Sequence, residues 1–174
     1  RDAFNLAWKL AAVINKEAEY SLLDSYEDER KPHASAYVEM AIKIGQIIRS
    51  INHNDALNDV SGHRSQSGEM RSITPKLGAS FLTAPRSNSN TDIEGRPALQ
   101  FRIQPSNELI DDVSGYRHVI VSNTRPEGLT DSIFWINALE QEEAAKLLKH
   151  LNAKAAWIRP DRYMGAVTNS LQEL

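Results

Sequence analysis

The spacing of apolar residues changes partway along the chain, and that change limits what its 174 residues can fold into. From Asp2 to Ile14, the residues Ala3, Phe4, Leu6, Ala7, Leu10, Ala11, Val13 and Ile14 recur at three and four, which predicts a helix with a wide apolar stripe. Asp2 is placed to cap its N-terminus. After a break around Asn15 and Lys16, Leu22, Leu23 and Tyr26 open a second helix whose exposed side is read as Glu27, Asp28, Glu29, Arg30 and Lys31. Pro32 is expected to interrupt it, because proline lacks an amide proton and clashes one turn back. Ala36, Tyr37, Met40, Ala41, Ile44, Ile47, Ile48 and Ile51 then keep the helical period for about four turns.

From Asn52 to Ser72 the apolar content collapses to Ala56, Leu57, Val60 and Met70, which reads as a loop or linker. Strand-type runs follow at Ala98 to Ile103, His118 to Ser122 and Ile133 to Leu139, the last leading into an acidic helix start at Glu140 to Glu143. Helical spacing returns with Ala144, Ala145, Leu147, Leu148 and Leu151. Ala155 to Arg159 and Tyr163 to Val167 read as two strands paired across the tight turn Pro160-Asp161-Arg162. A closing helix is expected from Thr168, capped by Thr168 or Asn169. This order predicts an α/β fold, α+β overall, with a mixed sheet: a parallel pair joined by a crossover and an antiparallel hairpin at one side, the thioredoxin-like arrangement.

Composition narrows the function classes. A net charge of −3 with both signs scattered leaves no basic stripe for a phosphate backbone, so nucleic acid is not expected as a partner. No apolar run approaches the roughly 20 residues that span a bilayer, so no membrane is expected either. The absence of cysteine excludes disulfides, thiolate metal sites and a cysteine nucleophile, and it fits a cytoplasmic protein. The five histidines form no His-x-x-x-His or His-x-Glu pattern, so no metal site is expected and they are read as solvated. No Gly-x-Ser-x-Gly elbow supports a hydrolase. Arg1 in place of methionine leads to the expectation that the parent's natural start lies upstream.

Two stretches carry a family resemblance. Arg1-Asp2-Ala3-Phe4-Asn5-Leu6-Ala7-Trp8-Lys9-Leu10-Ala11-Ala12-Val13, followed by Leu22-Leu23-Asp24-Ser25-Tyr26-Glu27-Asp28-Glu29-Arg30-Lys31-Pro32, resembles the FAD-dependent aromatic-ring hydroxylases. These are group A flavoprotein monooxygenases, and the closest in pattern are the 3-(3-hydroxyphenyl)propionate hydroxylases and phenol-hydroxylase-like enzymes. Ala155-Ala156-Trp157-Ile158-Arg159-Pro160-Asp161-Arg162-Tyr163 and Leu109-Ile110-Asp111-Asp112-Val113, with Gly115 following, resemble the family's C-terminal domain, a thioredoxin-like fold without redox cysteines. The resemblance implies that residues 1–52 are the terminal helices of an FAD-binding domain, that 53–75 are a linker and that 76–174 are the thioredoxin-like domain.

In this family the whole enzyme binds FAD, takes hydride from NADH or NADPH, and hydroxylates a phenolic ring with oxygen. The resemblance therefore implies FAD as cofactor, NADH or NADPH as reductant and an aromatic small molecule as substrate, and it leaves a homo-oligomer open. Neither the Gly-x-Gly-x-x-Gly phosphate fingerprint nor the family's Gly-Asp segment occurs in this sequence. The family's glycine-rich loop would lie immediately before Arg1. Arg1, Asp2 and Ala3 are thus implied as the cofactor-binding residues nearest the flavin, where a helix N-terminus stabilises negative charge.

No residue of the chain is read as catalytic. Glu29 and Arg30 read as structural ion pairs, Phe4 and Trp8 as core residues, and Asp2 as a cap and a cofactor neighbour at once. The alternative reading is a non-catalytic interaction or oligomerisation module with a redox-inactive thioredoxin-like fold, its interface the stripe from Tyr37 to Ile51.

Overall fold

A computed structural model describes residues 2–51, 73–82 and 92–171. Helix α1 (Asp2–Ile14) and a 3-10 turn (Tyr20–Leu23) lead into α2 (Asp24–Ile51), a single helix of 28 residues. Two short strands, β1 (Arg102–Ile103) and β2 (Glu108–Leu109), form an antiparallel ribbon, followed by α3 (Ile110–Ser114). The remainder is β3 (His118–Ser122), β4 (Ile133–Asn137), α4 (Glu142–Leu151), β5 (Ala155–Ile158) and β6 (Met164–Thr168).

The expected break at Pro32 does not occur: the proline lies inside α2. Its missing amide leaves the Asp28 carbonyl without the usual partner one turn on. The segment around Gly78 fills that notch, its amide donating to the Glu29 carbonyl at 2.8 Å. Only glycine allows this approach, because a Cβ at position 78 would lie 2.0 Å from the Asp28 carbonyl oxygen.

The four-stranded sheet has the order β4-β3-β5-β6. β3 and β4 run parallel, with His118 opposite Ile133, whereas β5 is antiparallel to both β3 and β6. The expected parallel pair and hairpin are both present. Arg159 donates its amide to the Tyr163 carbonyl at 2.9 Å, and Arg162 adopts a positive φ of 64°, the geometry of a three-residue hairpin loop with proline at its first position. The run from Ala98 contributes only two residues to a strand.

Helix α4 places Ala144, Leu147, Leu148 and Leu151 on one buried face at helical spacing. These pack with Val119, Val121, Ile136, Ala156, Ile158 and Val167 into the main core. The acidic first turn and the basic last turn of α4 match the helix dipole. Asn152 ends it in the left-handed conformation. Thr168 belongs to β6 rather than to a helix start, and its Oγ1 accepts the Ser170 amide at 3.0 Å. The expected linker falls mainly on 52–72, outside the described residues.

Among the described residues no helix is long and apolar enough to cross a membrane, and no group of three or more His, Asp or Glu is arranged to hold a metal.

Candidate functional site

Helix α1 is inside out. Its fully buried residues are Asn5 and Lys9, one turn apart, whereas Phe4, Leu10 and Ile14 are 50%, 38% and 74% exposed. Its apolar stripe therefore faces away from the body of the chain, and the helix is held by polar contacts. Phe4, read as core from its spacing, is a surface residue in contact with Tyr116 at a ring separation of 5.6 Å; Trp8 is only half-buried. The reason is that Asn5 and Lys9 take the inward positions.

Those two residues meet the Glu29 carboxylate. Glu29 Oε2 accepts from Asn5 Nδ2 and Lys9 Nζ, each at 2.9 Å, and Arg159 forks onto both carboxylate oxygens at 2.8 Å. Ser80 Oγ adds a bond to Oε1 at 2.7 Å. Asp161 closes the cluster: it accepts from Arg159 at 2.7 and 3.1 Å and from Asn5 at 2.8 Å. Two cations and two carboxylates thus form a neutral buried quartet. The Arg-Pro-Asp turn is more than a hairpin connector; it sends both of its charged residues into the helix pair.

Burial alone would push the Glu29 carboxyl up, but hydrogen bonds and charge from Arg159, with Asn5 and Lys9, outweigh it and hold the group at about 2. Burial dominates at Lys9 and moves its ammonium down despite Glu29. For Arg159 the neighbouring Asp161 and Glu29 outweigh burial and raise it. Glu29 and Arg30 were expected on the exposed side of their helix yet are buried, although their expected role in ion pairing holds.

A second chain of contacts runs parallel to the first. Asp2, at the start of α1, accepts from Arg30 Nε. Arg30 donates to His33 Nδ1 at 2.9 Å, and the His33 Nε2 side meets the Tyr163 hydroxyl at 3.2 Å. Arg30 holds the Asp2 carboxyl below its ordinary range, mainly through that hydrogen bond. The reading of every histidine as solvated fails here. His33 is buried, and His118 is enclosed between Trp8, edge-on at 5.4 Å, and Trp157, whose indole donates to His118 Nδ1 at 3.0 Å. Burial, reinforced by Arg159, pushes His118 down to about 4. His150 is exposed, and His53 and His63 lie outside the described residues.

Beside this assembly, a largely apolar cleft of about 370 Å³ is lined by Phe4, Ala7, Trp8, Tyr116, His118 and Pro160, among others. The Trp8 indole nitrogen is buried without a partner among the described residues, as is Asn5 Oδ1.

Of the residues implied to touch a cofactor, Asp2 and Ala3 are exposed in the first turn of α1; Arg1 lies outside the described residues. The leading amides of a helix have no acceptor within it, and a small Ala3 side chain does not crowd them. Free amides of this kind are the donors that an anionic group takes at a helix N-terminus. The Gly-x-Gly-x-x-Gly fingerprint that would cradle a pyrophosphate does not occur in the sequence. Asn5, Lys9, Arg159 and Asp161 were missed as a unit. Their sequence signal was a polar pair four residues apart in an otherwise apolar helix, together with two opposite charges flanking a turn proline.

Comparison with known proteins draws these features together. The FAD binding domain family matches residues 1–41. A 3-(3-hydroxy-phenyl)propionate/3-hydroxycinnamic acid hydroxylase from Mycolicibacterium vanbaalenii is 34% identical over 155 residues, covering 77% of this chain and 26% of that protein. The same enzyme from Klebsiella pneumoniae is 52% identical over 48 residues, 28% of this chain and 9% of that protein. Among solved structures, the anhydrotetracycline hydroxylase OxyS from Streptomyces rimosus aligns at a TM-score of 0.53 with 18% identity, over 96% of this chain and 36% of its own. RebC-10x, soaked with chromopyrrolic acid and carrying 7-carboxy-K252c, aligns at 0.59 with 19% identity, over 97% and 37%. The chain spans less than a third of the length of the curated relatives it matches. The chain is thus similar to the FAD binding domain family over its first 41 residues and to 3-(3-hydroxy-phenyl)propionate/3-hydroxycinnamic acid hydroxylases over most of its length.

Proposed function

We propose that this chain is the C-terminal portion of an FAD- and NAD(P)H-dependent monooxygenase that hydroxylates a phenolic or related aromatic compound. In this reading the chain supports the flavin and does not itself carry out the chemistry. The observation that carries the proposal is the bare first turn of α1 within the stretch that matches an FAD binding domain. Bound FAD would supply the redox chemistry, accepting hydride from the nicotinamide and using oxygen on the ring. Arg1, Asp2 and Ala3 would lie at its edge, where the α1 amides and dipole favour negative charge. Asp2 would oppose that charge if left alone. Its ion pair with Arg30 offsets the repulsion and leaves the helix terminus net attractive.

The sheet order β4-β3-β5-β6, with α4 crossing between β4 and β5, supports a thioredoxin-like unit for 76–174, following the terminal flavin-domain helices at 1–52 and a linker at 53–75. Without cysteine it performs no dithiol exchange. Its role is packing and assembly, in a cytoplasmic enzyme. The test compares two preparations: the chain alone should be colourless and inactive, and the full-length protein should be yellow and oxidise NAD(P)H faster when a phenolic acid is added. A stoichiometric flavin on the isolated chain, or a full-length protein that binds none, overturns the reading.

A second reading, an interaction or oligomerisation module, draws support from Val38, Ile42 and Ile48, which are 55% to 58% exposed along α2. Light scattering separates the two, because a strict monomer counts against the module.

A further inference from the structure

We infer that Arg159, Asp161 and Tyr163 of the β5–β6 hairpin are positioning residues for the flavin: they set the place and rotation of α1 through two polar relays, the first of them buried, that run by way of Glu29, Arg30 and His33 of α2. The inference rests on the reading of the α1 first turn given above. One relay runs from Arg159 through Glu29 to Asn5 and Lys9, with Asp161 bonded to both Arg159 and Asn5. The other runs from Tyr163 through His33 and Arg30 to Asp2. Both begin at the same five-residue turn and end within the first three turns of α1, one of them on a residue implied to border the cofactor.

Three observations favour positioning over plain cohesion. The residues that α1 buries completely are the two in the first relay, so its rotation about its own axis is fixed by directed hydrogen bonds rather than by apolar packing, which tolerates sliding. Asn5 Nδ2 is shared between Glu29 and Asp161, and so reports on α2 and the hairpin together. A buried ion cluster is also a poor choice for stability alone, since well-packed apolar residues commonly equal or exceed it. What the cluster adds is geometry: Ala3 is two residues from Asn5, about 3 Å along the helix axis, so a rotation at Asn5 moves the first turn directly.

The test uses the full-length protein loaded with FAD. Arg159→Met should weaken FAD binding by about tenfold and shift the visible flavin spectrum at a temperature where far-UV circular dichroism remains native. Arg162→Met, which removes a nearby arginine bound to Asp111 and Ser114 but not to either relay, should leave both readouts unchanged. Arg159→Met combined with Asn5→Leu should be no worse for FAD affinity than the stronger single change, as expected for two residues on one path. If Arg159→Met fails to fold, Tyr163→Phe tests the second relay, with a smaller loss of affinity expected in the same direction. An Arg159→Met or, in its place, Tyr163→Phe protein that is folded and has unchanged FAD affinity and spectrum overturns the inference. Ala3→Glu separates the two levels: if it leaves the flavin unaffected, the reading of the first turn fails; if it perturbs the flavin while the hairpin variants do not, only the positioning inference fails.

Discussion

At the scale of single residues, the structure turns on one carboxylate. Glu29 receives five hydrogen bonds, from Asn5, Lys9, Ser80 and both ends of the Arg159 fork. Glu29→Gln would leave Lys9 and Arg159 buried against Asp161 alone, and we expect a loss of about 3 to 5 kcal/mol, read as a lower urea midpoint with an unchanged slope. The same residue sets an acid limit. Its folded value of about 2 lies below its ordinary 4.5, so its contribution is complete above pH 4.5 and is lost as pH falls toward 2. His118 acts over a higher window. Its folded value of about 4 lies below the ordinary 6.5, so the unfolded chain takes up the proton first and stability declines as pH drops from 6.5 to 4. Unfolding free energies between pH 7 and 4 should fall by roughly 3 kcal/mol from this group, and His118→Gln should flatten that slope.

At the scale of elements, α2 and the segment around Gly78 depend on each other. Gly78→Ala pushes a methyl group into the Asp28 carbonyl, which sits 2.0 Å away in the native geometry, so the segment must lift off the helix. We expect a loss of about 2 to 3 kcal/mol by thermal unfolding, far more than the roughly 0.5 kcal/mol of an ordinary surface change. Asn152→Gly should have the opposite sign. Asn152 ends α4 at a φ of 50°, which glycine adopts without a Cβ penalty, and a gain of about 0.5 to 1 kcal/mol is expected in the same assay. The elements themselves were legible in the sequence wherever the period was sustained, as in α1, the second half of α2, α4 and the β5–β6 hairpin. The helix runs on through Pro32, and a backbone 46 positions away packs into the notch beside it, which no local pattern reports. Phe4 was misjudged because apolar period identifies a stripe without saying which way it faces. The helix is turned by Asn5 and Lys9, whose shared partner Glu29 lies on α2 and whose further partner, Asp161 on Asn5, comes 156 positions later.

At the scale of the whole molecule, the buried quartet joins the helices of the matched FAD binding stretch to the sheet, so the two should not melt separately. Calorimetry of the chain is expected to show one transition, and Arg159→Met should split or broaden it, with loss of α1 amide protection preceding loss in β3 and β5 as observed by hydrogen exchange. The outward stripe of α1 and the exposed apolar residues of α2 leave apolar surface on the helical side of the described residues. The quartet also has a consequence for descent. Because its charges sum to zero and each group is sealed from water, losing one of them strands another, and an intermediate carrying only the first change is penalised before a second can compensate. Lineages of this protein should therefore keep Lys9, Glu29, Arg159 and Asp161 together or exchange them in matched pairs, so that these scattered positions co-vary as one inherited character.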